Sequence, residues 1–321
     1  MNTPKKVASY LLTTLFVVAP LAAYLQRQNI YDAWRLRNYD VPAQVASLAT
    51  DTTMDDYARK VFYVSRPQLQ DRDTFRASCS DFEKTIVLGC YRSGVGIFVY
   101  NVSDSRLNGV LQVTSAHEML HAAYERLSRK DKANVDQLTA EAYASLTDKR
   151  VIKNIESYRS RDASVVPNEL HSILATEVRI LPAELENYYR RYFIDRSKIV
   201  GFSEQYEGEF TKREEAVAAY DAQLTTIKSD IASLNASLDD GGKDIERKNN
   251  ELDSLLAQRS ISTYNSKIPA YQRAVANYNA DVGSLKAAIN SYNDIVDMRN
   301  NIVTEEQELI NAIDSSVPTT K

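Results

Sequence analysis

The chain has 321 residues, enough for a domain with its own core and an extended appendage. Charged residues make up 26% of it and the formal net charge is only −4, which excludes the dense positive surface that nucleic-acid binding requires. Nine glycines against twenty tyrosines exclude a turn-rich sandwich or a disordered polymer and point to a mostly helical chain.

Residues 7–25 hold no charged side chain, follow Lys5 and Lys6, and have about the length of a bilayer span. The segment reads as an uncleaved anchor; the alternative is a cleaved secretory signal, for which Leu21-Ala22-Ala23 is a poor cleavage site. Arg27, Arg35 and Arg37 compete with Lys5 and Lys6 under the positive-inside rule, so charge alone does not orient it. Cys79 and Cys90 are the only cysteines. Either they close a disulfide, which would place the residues after 26 in an oxidising, extracytoplasmic compartment, or they are two buried thiols. The expectation is a single-pass protein of the cell membrane with its main domain outside.

Short helices are expected over 30–39 and 55–62, separated by the Asp40-Val41-Pro42 break. The β-branched and aromatic runs 86–88 and 97–102, on either side of 92–96, read as a hairpin or two sheet strands. A helix over 113–127 follows, with Thr114 or Ser115 as its cap and Glu118 at capping-box distance from Ser115. Further helices are expected over 130–146, 151–157, 169–180 and 183–192, with Pro167 and Pro182 at helix starts.

Beyond residue 203 the pattern becomes heptad. Leu224, Ile231, Leu238, Ile245 and Leu252 recur at sevens, and so do Tyr264, Tyr271, Tyr278, Leu285 and Tyr292. The stretch 259–263 is the expected reversal, and Gly241-Gly242 is expected to kink the first helix without ending it. The fold class is therefore α+β, helix-dominated, ending in a long antiparallel helical coiled-coil hairpin. The expected division is an N-terminal anchor or signal segment 1–28, an α+β domain 29–200 and the hairpin 201–321.

In Ala116-His117-Glu118-Met119-Leu120-His121-Ala122 two imidazoles stand at i and i+4, one turn apart on one helix face, where both can reach one Zn2+ ion. Glu118, beside the first of them, is placed to take a proton from a water that the metal acidifies. A His-Glu-x-x-His string arises by chance in on the order of 1% of chains this long, so its setting has to carry the argument. That setting is an amphipathic helix after a strand-rich segment, holding two of only three histidines. A strand beside the cleft is what an extended peptide substrate pairs with.

With these residues the chain resembles the zincin metallopeptidases over about 86–192, and among them the gluzincin type, in which a glutamate on a later helix is the third ligand. The resemblance implies a zincin-like domain, a zinc cofactor and a protein or peptide substrate. Glu177 is the favoured third ligand, because Ala175-Thr176-Glu177-Val178-Arg179 is similar to the third-ligand helix of a processing peptidase of that type. Glu141, twenty residues after His121, competes with it, but Ser145 stands where an acidic partner is expected. His171 is either a ligand itself or a donor to the oxyanion of the tetrahedral intermediate, a role also open to Tyr143, Tyr188 and Tyr189. Arg126 or Arg179 would steady nearby carboxylates. The expected function is a membrane-anchored zinc peptidase with ligands His117, His121 and Glu177 and catalytic residues Glu118 and His171. The alternative is a non-enzymatic envelope scaffold or interaction protein, with the coiled coil as its working part, binding a partner or itself.

Overall fold

The structure is a computed structural model that describes residues 18–79 and 87–316. After a helical stretch over 18–25 come three short helices: α1 (Arg27–Leu36), α2 (Ala43–Asp51), opened by Pro42, and α3 (Asp56–Val64), where the Asp55 carboxylate caps the Ala58 N–H at 2.8 Å. Strand β1 (Gln68–Gln70) and helix α4 (Arg72–Ser78) follow, then β2 (Gly89–Arg92) and β3 (Gly96–Tyr100). The sheet order is β1-β3-β2. Strand β1 runs parallel to β3 (Gln68 opposite Phe98), and β2 runs antiparallel to it (Cys90 opposite Phe98). Every residue of central β3 is buried, whereas β2 is an edge strand.

The expected strand at 86–88 is replaced by Gly89–Arg92, and residue 86 lies outside the described residues. The tight turn at Gly94, with φ +71°, sets this register by fixing which residues can face β3. The two cysteines are bonded to each other, tying the end of α4 to β2.

Helix α5 (Val110–Glu125) starts three residues earlier than expected. Its cap is Gly109 at φ +106°, and Thr114 and Ser115 are buried inside the helix instead of capping it. Only glycine fits there, since a Cβ would stand 2.6 Å from the Phe202 carbonyl oxygen. Helices α6 (Arg129–Ala144) and α7 (Lys149–Arg161) begin at Ser128 and Asp148, whose side chains accept backbone N–H groups. Helix α8 (Val166–Glu177) has Pro167 in its first turn, and α9 (Ala183–Tyr189) follows Pro182. Two long helices, α10 (Arg196–Ala257) and α11 (Ile261–Ile313), complete the chain.

The chain divides into two units. The first comprises residues 1–209 with 309–321, and its core includes Phe62, Phe75, Ile97, Met119, Leu120, Ile155, Ile173, Leu174, Tyr189 and Phe193. The second, 210–308, is the helical hairpin. Its helices are antiparallel: Arg213 pairs with Glu305, Asp221 with Arg299, Ser237 with Asp281 and Glu251 with Lys267. Arg259, at φ +56°, makes the reversal, and the helix runs through Gly241-Gly242 unbroken. Tyr278 packs so close there that a Cβ on Gly241 would stand 3.4 Å from its ring.

The expected spanning helix over 7–25, and the single-pass membrane location built on it, are corrected. Among the described residues no helix is long and apolar enough to cross a membrane. Residues 7–17 of that stretch lie outside the described residues. Residues 18–25 are helical and exposed, and α1 beyond them carries Arg27, Asp32 and Arg35.

One buried cation fixes the end of α8. The Arg196 guanidinium, from the first turn of α10, donates to the carbonyls of Ala175 (3.2 Å), Val178 (2.6 Å) and Arg179 (3.0 Å), and pairs with Glu186 at 2.7 Å. These are carbonyls a helix end leaves without intrahelical donors. Arg196→Met keeps the aliphatic stem but leaves the buried acceptors bare, and is expected to cost about 3 kcal/mol in urea unfolding.

Candidate metal centre

On α5 the helical repeat stacks His117 and His121 on one face, their rings 4.7 Å apart and edge-on. Glu169, in the first turn of α8, faces both: its Oε2 lies 3.6 Å from His117 Nε2 and its Oε1 lies 3.8 Å from His121 Nε2. Ligand atoms of all three lie within 4.8 Å of one another. Tetrahedral zinc would need donors about 3.3 Å apart, a contraction that side-chain rotation can supply. Both observed spacings are too long for hydrogen bonds, and Glu169 Oε2 is buried without a hydrogen-bond partner. Burial pushes the Glu169 carboxyl up, but the His117 and His121 imidazoles outweigh it and hold it below the usual carboxylate value. Two imidazoles and an ionised, unsatisfied carboxylate converging on one point fit a divalent zinc ion with a coordination position left open.

Glu118 projects from a different side of α5 and is 5% exposed. Burial raises its carboxyl to about 7, against the His121 imidazole and the Tyr91 N–H, which favour the charged form. Strand β2 lies directly against it. The Leu88 carbonyl accepts from Tyr100 N–H at 2.8 Å, so strand alternation turns the peptide groups of Gly89 and Tyr91 to the free edge, where the Tyr91 N–H meets Glu118. A Cβ on Gly89 would stand 2.6 Å from Thr114 Cγ2 and 2.8 Å from Glu118 Cγ. At the end of α5, Ser93 Oγ donates to Glu125 at 2.5 Å and Tyr91 Oη donates to the same carboxylate.

Of the residues expected from sequence, His117 and His121 meet here, with Glu118 next to His117 in the chain but on another side of α5. Glu177 does not. It lies two helical turns beyond Glu169, about 12 Å along α8 by helix geometry, and is claimed by Arg150 at 2.6 Å. The carboxylate that stands beside the histidines is Glu169. Glu141 is on the surface of α6, accepting from Gln137 at 2.9 Å.

His171 is likewise withdrawn from the reacting face. It is fully buried, its Nε2 lies 3.1 Å from the Tyr188 hydroxyl, and its ring is surrounded by Tyr124, Tyr188, Tyr189 and Tyr192. Burial pushes its pKa down to about 3, so the ring is neutral. A group so enclosed cannot reach a substrate oxyanion. Tyr189 donates to the His171 carbonyl at 2.8 Å, and Tyr143 donates to Glu156 at 2.6 Å. Arg126 is bound to Asp32 and Arg179 to Glu204, so neither steadies the triad.

Two outcomes follow. Glu169→Ala is expected to abolish stoichiometric zinc, read by metal mass spectrometry on folded protein, while Glu177→Ala keeps it; retention by the first and loss by the second would restore the later glutamate. Gly89→Ala forces β2 off α5 and is expected to lower stability by about 1–3 kcal/mol, measured by thermal unfolding. Compared with known proteins, the chain matches no family model, no curated protein sequence and no solved structure.

Proposed function

We propose that the chain is a zinc-dependent peptidase of the zincin kind that its His117-Glu118-Met119-Leu120-His121 segment resembles, with Glu169 in place of Glu177 as third ligand. The observation that carries this reading is the convergence of His117, His121 and Glu169, with buried Glu118 one residue from the first ligand and against an edge strand. His117 Nε2, His121 Nε2 and a Glu169 oxygen would hold the ion. When bound, zinc supplies a Lewis acid that polarises a scissile carbonyl and acidifies water.

The chain's own groups do the rest. Glu118 takes the proton from the attacking water and returns it to the leaving amine. The Tyr91 N–H favours the charged form of that carboxyl, and the missing side chain at Gly89 leaves Thr114 and Glu118 their room beside β2. The free edge of β2 is the place for an extended peptide, which would bind by main-chain pairing and so with little demand on its side chains.

Glu118→Gln preserves shape and the acceptor for the Tyr91 N–H but removes the base. It is expected to leave zinc content and melting temperature unchanged and to lower hydrolysis of a quenched fluorescent peptide library by about 10²–10⁴-fold. A zinc-loaded wild type that cleaves no peptide of the library would overturn the reading. The hairpin would then stand as the working part of a non-enzymatic protein.

A further inference from the structure

Ser172 lies three residues after Glu169 on α8, so the two share one face of that helix. It is fully buried, and its Oγ stands 3.3 Å from His121 Nδ1, across the interface between α8 and α5. The same imidazole presents Nε2 to Glu169 Oε1 at 3.8 Å on its other side. A neutral imidazole carries one proton, and the nitrogen that holds it cannot coordinate a cation.

We infer that Ser172 is a positioning residue for the metal site: its hydroxyl oxygen accepts the His121 Nδ1–H, which fixes the ring's rotation and tautomer and leaves the Nε2 lone pair facing the point shared with His117 and Glu169. The inference rests on the metal reading above but not on hydrolysis. One helix then supplies both the anionic ligand and the acceptor that orients a ligand on the other helix. A shift or rotation of α8 would displace both together. The distance is at the long end for a hydrogen bond. Drawing the His121 Nε2 toward the shared point would rotate the ring about its Cβ–Cγ bond, while the Ser172 oxygen stays in its buried position and its hydrogen turns about the Cβ–Oγ bond to leave a lone pair facing Nδ1. Outer hydrogen bonds of this kind contribute about 10–100-fold to metal affinity in proteins.

A second buried hydroxyl on the same helix separates positioning from packing. Thr176, one turn further on, is equally enclosed but donates to the Ser172 carbonyl at 2.9 Å and touches no ligand. The experiment uses the full chain and zinc itself, with affinities taken by competition against a chelator of known strength. Ser172→Ala is expected to weaken zinc binding by about 10–100-fold, and Thr176→Ala to leave it within about twofold, although each removes one buried hydroxyl. In zinc-loaded protein labelled with ¹⁵N at its three histidines, the His121 Nδ1–H signal is expected far downfield in the wild type. It should move upfield or exchange away in Ser172→Ala and be unchanged in Thr176→Ala.

Wild-type affinity in Ser172→Ala, equal loss in both variants, or an unmoved His121 Nδ1–H signal would each overturn the inference. If Ser172→Ala fails to fold, the wild-type spectrum alone decides: zinc on His121 Nδ1, with the proton on Nε2, refutes it. A protein that binds zinc as described and cleaves no peptide removes the peptidase reading and leaves this inference standing.

Discussion

Two imidazoles from one helix and a carboxylate from another can share an ion only if the two helices lie face to face, and the pairing of α5 with α8 is the constraint on which the first unit depends. Both helices bury small residues, Ser115, Ala116, Ala122 and Ala123 on one and Ser172, Ala175 and Thr176 on the other. Small side chains let backbones approach closely enough for short ligands to meet. The far end of α8 is clamped by the Arg196 guanidinium, which satisfies carbonyls that would otherwise face the core unpaired. Burying that cation is costly by itself, and the Glu186 carboxylate with three well-formed carbonyl contacts offsets the cost. Position along the helix is thereby set at Val178, and Glu169 and Ser172 inherit it.

The second demand is electrostatic. A carboxyl as enclosed as Glu118 cannot keep its charge cheaply, and the structure gives it little help beyond one backbone N–H and the neighbouring imidazole. That arrangement would be a defect in a purely structural helix, where an alanine would pack at lower cost. Under the proposed reading the cost has a use, because a carboxylate held next to a bound cation would be placed to serve as a base. The absence of a side chain at Gly89 belongs to the same demand, since it is what lets the backbone of β2 lie on Glu118.

Much of the helical order was legible because its signals are local. Asp55, Ser128 and Asp148 cap helices with their own side chains, and Pro182 opens the helix that follows it, whereas α2 after Pro42 was not expected, because that proline reads equally as a break between helices. The hairpin was legible because its heptads repeat over many turns. The start of α5 was not, since Gly109 caps it by backbone conformation and Thr114-Ser115 imitates a cap while serving as packing. Strand β1, three residues ending in glutamines, has no apolar alternation to betray it. The histidines and Glu118 were readable as a spacing on one helix, whereas the carboxylate that joins the histidines depends on which turn of α8 faces α5. Glu169 and Glu177 sit on that one helix, and the later one was favoured for its local resemblance. Arg150, from a different helix, draws Glu177 away, and no local pattern encodes that pairing. Glu169 stood in the first turn after Pro167, where the helix dipole favours an anion, but that signal is common to many helices.

Strand β2 shows how the remaining parts of the chain bear on the site. An edge strand has one unpaired side and would be free to shift, yet the Tyr91 N–H of this one lies next to Glu118. The chain holds it from four directions. β3 pairs with one edge, Cys90 is bonded to Cys79 at the end of α4, and Tyr91 with Ser93 is fastened to Glu125 on α5. The fourth hold comes from the chain's return to the first unit after the hairpin. There Leu309 is fully buried, Arg72 donates to the Asn311 carbonyl at 2.5 Å, and Ser315 Oγ donates to the Val87 carbonyl at 2.7 Å, two residues before β2 begins. Under the proposed peptidase reading that anchoring would be preorganisation, because the strand beside Glu118 would then stay in place when a peptide paired along its open side.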